Sequence, residues 1–138
     1  MQVSIVAVIA ATAAMFAVGA FWYMVPFAKA WGRIHDFDKR SKAEQQEMQS
    51  KMGPYYGVQL VMTVLSAWML AILISVLPNY SPYLLALIVW LGFVLPAQVS
   101  SVIFGGTAPK YIPLKTAIMA GEALLHLQAA AFIINAIQ

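Results

Sequence analysis

The sequence predicts an all-α fold: an integral membrane four-helix transmembrane bundle with a short cytoplasmic helix between spans one and two. Three observations carry that prediction. Of 138 residues, 62% are hydrophobic and only 9% are charged, whereas about one quarter of a typical soluble domain is charged. The apolar residues gather into four stretches, each above the ~20 residues a helix needs to cross hydrocarbon. Every Lys and Arg lies in connections on one side of those stretches. In water, a chain this short would leave much of its apolar excess exposed, whereas a bilayer accepts it. Lipid offers backbone groups no water, so the spans must satisfy their own hydrogen bonds as helices. The alternating ten-residue segments of a membrane barrel do not occur.

The chain, 1–138, reads as a single transmembrane domain with spans at about 3–27, 55–77, 83–104 and 114–137 and a cytoplasmic segment at 32–52. The first stretch reads as a retained span, because Met1-Gln2-Val3-Ser4 lacks the basic residues that open a signal peptide. Its many small residues, among them Ala7, Ala11, Ala14 and Gly19, let helices approach closely and predict a central position. Next comes the polar segment, which with Lys29 holds Arg33, Lys39, Arg40, Lys42 and Lys51. Lys110 and Lys115 flank the connection between spans three and four. The positive-inside rule assigns both connections to the cytoplasm and both termini to the outer face. Ser41-Lys42-Ala43-Glu44 matches a capping box and predicts a helix over 42–51, which Gly53-Pro54 ends while opening span two. Trp22, Tyr23, Trp31, Tyr55, Tyr56 and Tyr111 fall near the cytoplasmic boundary and Tyr80 and Tyr83 near the outer one, as interfacial belts do. Pro26 and Pro96 each remove a backbone donor and predict bends.

The net charge of +3 does not point to nucleic acid, because the basic residues border spans instead of forming a patch with interleaved aromatics. They suit anionic lipid head groups, with Lys29, Arg33, Lys39, Arg40, Lys110 and Lys115 as the expected contacts. With no cysteine, thiol catalysis and cysteine-ligated metals are excluded. His35, Asp36 and Asp38 are metal-ligand types, but their setting reads as a solvated charged loop. No zinc-helix, phosphate-loop or nucleophile pattern is present, so no cofactor or metal is called for and an enzyme has little support.

The run Gly19-Ala20-Phe21-Trp22-Tyr23-Met24-Val25-Pro26-Phe27-Ala28-Lys29-Ala30-Trp31 resembles the opening signature of a widespread family of small bacterial membrane proteins catalogued only as a domain of unknown function. Met52-Gly53, Gly92-Phe93 with Pro96, Phe104-Gly105 and a histidine in the last span are also similar to that family's pattern. Thr107-Ala108-Pro109 and Glu122 depart from it. The resemblance implies four spans in a bacterial-type inner membrane and brings no activity with it.

The candidate site is Glu122 with His126, because ionisable groups inside hydrocarbon are costly and mark function by default. Four residues apart, they share one helix face and can share a proton. Gln59, Thr63 and Ser66 form a stripe in span two, and Gln98 and Ser101 of span three can meet it, so that all these residues wall a polar interior. Helix-to-helix hydrogen bonding accounts for the same residues without any transport role. The leading functional reading is permeation or proton-linked exchange of a small solute or ion. Beside it stand a non-catalytic accessory or assembly subunit of a larger membrane complex and an intramembrane ligand-binding protein or enzyme. Four helices enclose little more than their own side chains, so a pathway is expected between protomers of a homo-oligomer.

Overall fold

Residues 2–138 are described by a computed structural model. The first span, α1 (Ile5–Met24), starts where the Ser4 hydroxyl accepts the Ala7 amide at 3.2 Å, satisfying one of the orphan donors of a helix start. It stops earlier than the sequence suggests. Pro26 has no amide to continue the ladder, the Phe27 amide reaches back to the Trp22 carbonyl at 3.2 Å, and the chain restarts as α2 (Ala28–Ile34). The expected bend is therefore a break between two helices.

Asp36 in a left-handed conformation (φ 56°) turns the chain into a single 3-10 turn, Phe37–Lys39, a conformation that acidic and amide side chains tolerate better than most. The Asp36 carboxylate, 3.2 Å from the Lys39 ammonium, holds that lysine's pKa above its usual value. The capped helix follows as α3 (Lys42–Ser50), with the Ser41 hydroxyl accepting the Glu44 amide at 3.2 Å. The second span, α4 (Gly53–Val76), carries Pro54 in its first turn, where a missing amide costs nothing.

The third span is not one regular helix. It runs as α5 (Pro82–Val89), a π-helical turn (Trp90–Val94) and α6 (Leu95–Phe104). The Leu95 amide bonds the Trp90 carbonyl five residues back, so the ladder widens just before Pro96, whose ring would crowd a regular turn. After a 3-10 turn, Pro109–Tyr111, the last span is α7 (Ile112–Ile137).

In the bundle, α7 is the centre. It packs on α1, on both halves of the third span and on α4, while α1 also meets α4. The first span was the expected centre; it is instead the main partner of α7, whose buried face includes Ile118, Ala123, Leu127, Ala130, Ala131 and Ile134. Between the helices the fully buried residues are mostly alanines: Ala7, Ala11, Ala67, Ala71, Ala86, Ala130 and Ala131. Large side chains turn outward instead, with Phe93 73% and Phe104 87% exposed. This inversion of a soluble core suits a solvent as apolar as leucine, in which close packing of small residues holds helices together.

One end of the bundle joins the basic segments. Lys115 lies 5.6 Å from the Trp31 ring centroid, and Tyr111 is among the charges acting on Lys39. At the other end Gln138 ties α1 to α7 and α4, accepting from the Ser4 amide at 3.2 Å and donating to the Ala71 carbonyl at 3.2 Å. Because Ala11 has no free space around it, replacing it with leucine is expected to destabilise the fold by about 1–3 kcal/mol. Phe104→Leu at the lipid-facing surface is expected to leave stability unchanged. Thermal unfolding of both variants in mild detergent checks the contrast.

Candidate functional site

Glu122 sits on α7 about 15 Å along the axis from Ile112, at 1.5 Å per residue. That places it deep within the span. Its residue surface is only 9% exposed, and its carboxylate Oε1 lies 2.8 Å from His126 Nδ1. The helical spacing of four brings the two side chains together. Among the described residues no lysine or arginine comes within 4.0 Å of Glu122.

The surroundings explain why the carboxylate sits where it does. A Cβ placed on Gly19 of α1 would lie 3.2 Å from Glu122 Oε1, so the glycine makes room for the carboxylate against the neighbouring helix. The partner contact is built the same way, since a Cβ on Gly121 would lie 3.1 Å from the Trp22 ring. The Trp22 indole then donates to the Ile118 carbonyl at 2.9 Å. From the other side, Trp90 Nε1 in the π-helical turn donates to the Ala120 carbonyl at 2.9 Å. Gln98 Nε2 of α6 donates to the Met119 carbonyl at 3.4 Å. Three consecutive carbonyls of α7 thus each take a side-chain donor in addition to the helix ladder, using the second lone pair of each oxygen. They occupy the turn immediately before Glu122. Gln98 Oε1 is buried there without a hydrogen-bond partner.

The expected polar wall is only partly assembled. Gln98 reaches α7 near Glu122, but Ser101 is exposed and donates to the Gln98 carbonyl at 2.9 Å. In α4, Thr63 is buried and donates to the Gln59 carbonyl at 2.8 Å, and Gln59 Nε2 donates to Thr63 Oγ1 at 3.4 Å. Gln59 and Ser66 lie on the outside of the bundle. Among the described residues neither Gln59 nor Thr63 bonds Gln98, Ser101, Glu122 or His126. Thr63 and Gln59 stabilise each other and their own helix, as hydroxyls in membrane helices do.

Sequence reasoning missed the Trp22 clamp. Trp22 was assigned to an interfacial belt, yet its N–H turns inward to α7. Trp90, away from either boundary, is its counterpart from the third span and makes the kind of helix contact that such a position favours. The signal available lay in helix positions small enough to admit a ring. In the polar connection, His35 Nδ1 meets the Trp31 carbonyl at 2.9 Å and Asp36 is taken by Lys39. No group of three or more His, Asp or Glu among the described residues could hold a metal ion.

Trp22→Phe keeps an aromatic ring but removes the donor to Ile118, so it is expected to cost about 0.5–1.5 kcal/mol. Trp68→Phe, at a half-exposed position on α4, is expected to cost nothing measurable. Chemical unfolding followed by circular dichroism in detergent checks both.

No curated protein and no solved structure matches the chain. A family described as "Protein of unknown function (DUF1761)" has a model that matches residues 6–135. That match takes in all four spans and the whole of the site, and the chain belongs to this family.

Proposed function

We propose that the protein is a multi-pass protein of a bacterial-type plasma membrane, its basic end in the cytoplasm and both termini outside, that exchanges a small solute or ion in step with a proton carried by Glu122 and His126. The observation that carries this reading is the 2.8 Å carboxylate–imidazole contact deep in a span, with no lysine or arginine within 4.0 Å of the carboxylate among the described residues. Such a group is expensive in hydrocarbon and gains nothing as a mere surface charge. The positive-inside rule supports the orientation.

The route of exchange follows from burial. Glu122 faces Gly19 and is closed in, while the His126 side chain retains 23% of its surface, so His126 is the entry for a proton arriving from outside the single bundle. A boundary between two copies of the chain supplies such an entry without needing a channel through four packed helices.

The tight closure of α1 on Glu122 also favours a second reading: the pair locks helices in an accessory subunit of a larger membrane complex. Proteoliposomes loaded with a pH-sensitive dye separate the two. On addition of Na⁺, K⁺ or small organic anions, the native protein is expected to move protons, and Glu122→Gln and His126→Ala are each expected to return the signal to the protein-free rate. Equal flux in all three proteins, or none in any, overturns the exchange reading. A fixed partner co-purifying in mild detergent then supports the second.

A further inference from the structure

At the basic end, outside the spans, α2 places Lys29 and Arg33 four residues apart on one face, so their cationic groups point the same way. Both line a cleft of about 520 Å³ together with Ala28, Gly32, Phe37, Asp38 and Gln45. That volume falls in the range of small-ligand sites. Neither cation has a carboxylate within 4.0 Å among the described residues, whereas Lys39 and Lys51 are each taken by a neighbouring acid. Arg40, Lys42, Lys110 and Lys115 also lack a carboxylate within 4.0 Å among the described residues, but Lys29 and Arg33 are the two that line the cleft.

The cleft is built into the local fold. The left-handed turn at Asp36 brings the Phe37–Lys39 turn back beneath α2. Gln45 of α3 fixes it there, its Nε2 donating to the Phe37 carbonyl at 3.0 Å and the Arg40 carbonyl at 3.3 Å. Phe37 faces Gly32, where an added Cβ would lie 4.0 Å from its side chain, and gives the cleft an apolar floor. The rings of Tyr23, Trp31 and His35 pack in a tilted series, with centroids 4.7 and 4.4 Å apart, and hold α2 at the point where α1 leaves the span. The cleft therefore lies at the depth of lipid head groups, where such rings anchor.

We propose that this cleft binds the phosphodiester of an anionic glycerophospholipid, with Arg33 and Lys29 on the phosphate and Asp38 accepting a hydrogen bond from a head-group hydroxyl. Arginine's fork matches two phosphate oxygens and lysine adds a point charge. Asp38 repels a bare phosphate but suits a polyol beyond it. The chemistry selects a glycerol-bearing head group over inorganic phosphate, phosphatidic acid or a zwitterionic lipid.

Native mass spectrometry of the full chain in mild detergent tests this, with phosphatidylglycerol, phosphatidic acid, phosphatidylcholine or inorganic phosphate added separately. The native protein is expected to retain phosphatidylglycerol in preference to the other three. A Lys29→Gln, Arg33→Gln double variant is expected to lose about thirtyfold in that retention, from two basic contacts at a lipid surface. Lys51→Gln, on a paired lysine elsewhere in the connection, is expected to keep it. Asp38→Asn is expected to narrow the preference for phosphatidylglycerol over phosphatidic acid. Equal retention of phosphatidylcholine, full retention by a double variant of native circular dichroism, or binding of inorganic phosphate alone overturns the proposal.

Discussion

The approach of α7 to α1 is the constraint on which the rest of the molecule depends. Hydrocarbon gives helices no reason to associate through large apolar side chains, because lipid tails serve those equally well. What remains is close backbone contact, and that requires alanine and glycine at the seam. Ala7 and Ala11 on one helix and Ala130 and Ala131 on the other are fully buried. Nearer the basic end the same rule continues through Gly19 and Gly121, but there the saved space is filled by a carboxylate and an indole. A packing rule for helices thereby becomes the geometry of the candidate site.

The turn before Glu122 is also where polar satisfaction is concentrated. Indole and amide donors from α1, the π-helical turn and α6 all end on the carbonyls of residues 118–120. In lipid each of these donors would otherwise be stranded at a cost of several kcal/mol. Pairing them with one helix turn fixes α7 in rotation and depth relative to both neighbours. Among the described residues, the buried polar side-chain atoms of the helices that hold the following carboxylate are paired, apart from Gln98 Oε1.

Much of this was legible in the residues themselves. Hydropathy marked four spans because length and composition alone decide whether a helix suits hydrocarbon, and Ser41 with Gly53-Pro54 marked the limits of α3 because capping is a local matter. Glu122 and His126 were conspicuous for the same reason that makes them costly. What the sequence did not disclose were relations between helices. The periodicity of Gln59, Thr63 and Ser66 defines a stripe but not the neighbour it faces, and two of the three lie outside the bundle. Trp22 reads as a boundary residue from its position, while its partner is a carbonyl ninety-six residues away. Pro96 announced an interruption, yet the widening falls in the turn ahead of it.

That widened turn has a consequence for the third span as a whole. An α-helix advances about 100° per residue, so accommodating one extra residue in a turn rotates everything beyond it by roughly that angle. Trp90 and Gln98 stand on opposite sides of the offset, yet both reach adjacent carbonyls of α7. In a regular helix of the same sequence, eight residues would separate them by about 80° and only one could face α7 squarely. The wide turn is therefore what keeps the two anchors in phase. Removing its extra residue between 90 and 94 would leave a regular helix with Trp90 and Gln98 still within about 20° of each other, whereas straightening the turn with every residue retained would swing one anchor out toward lipid.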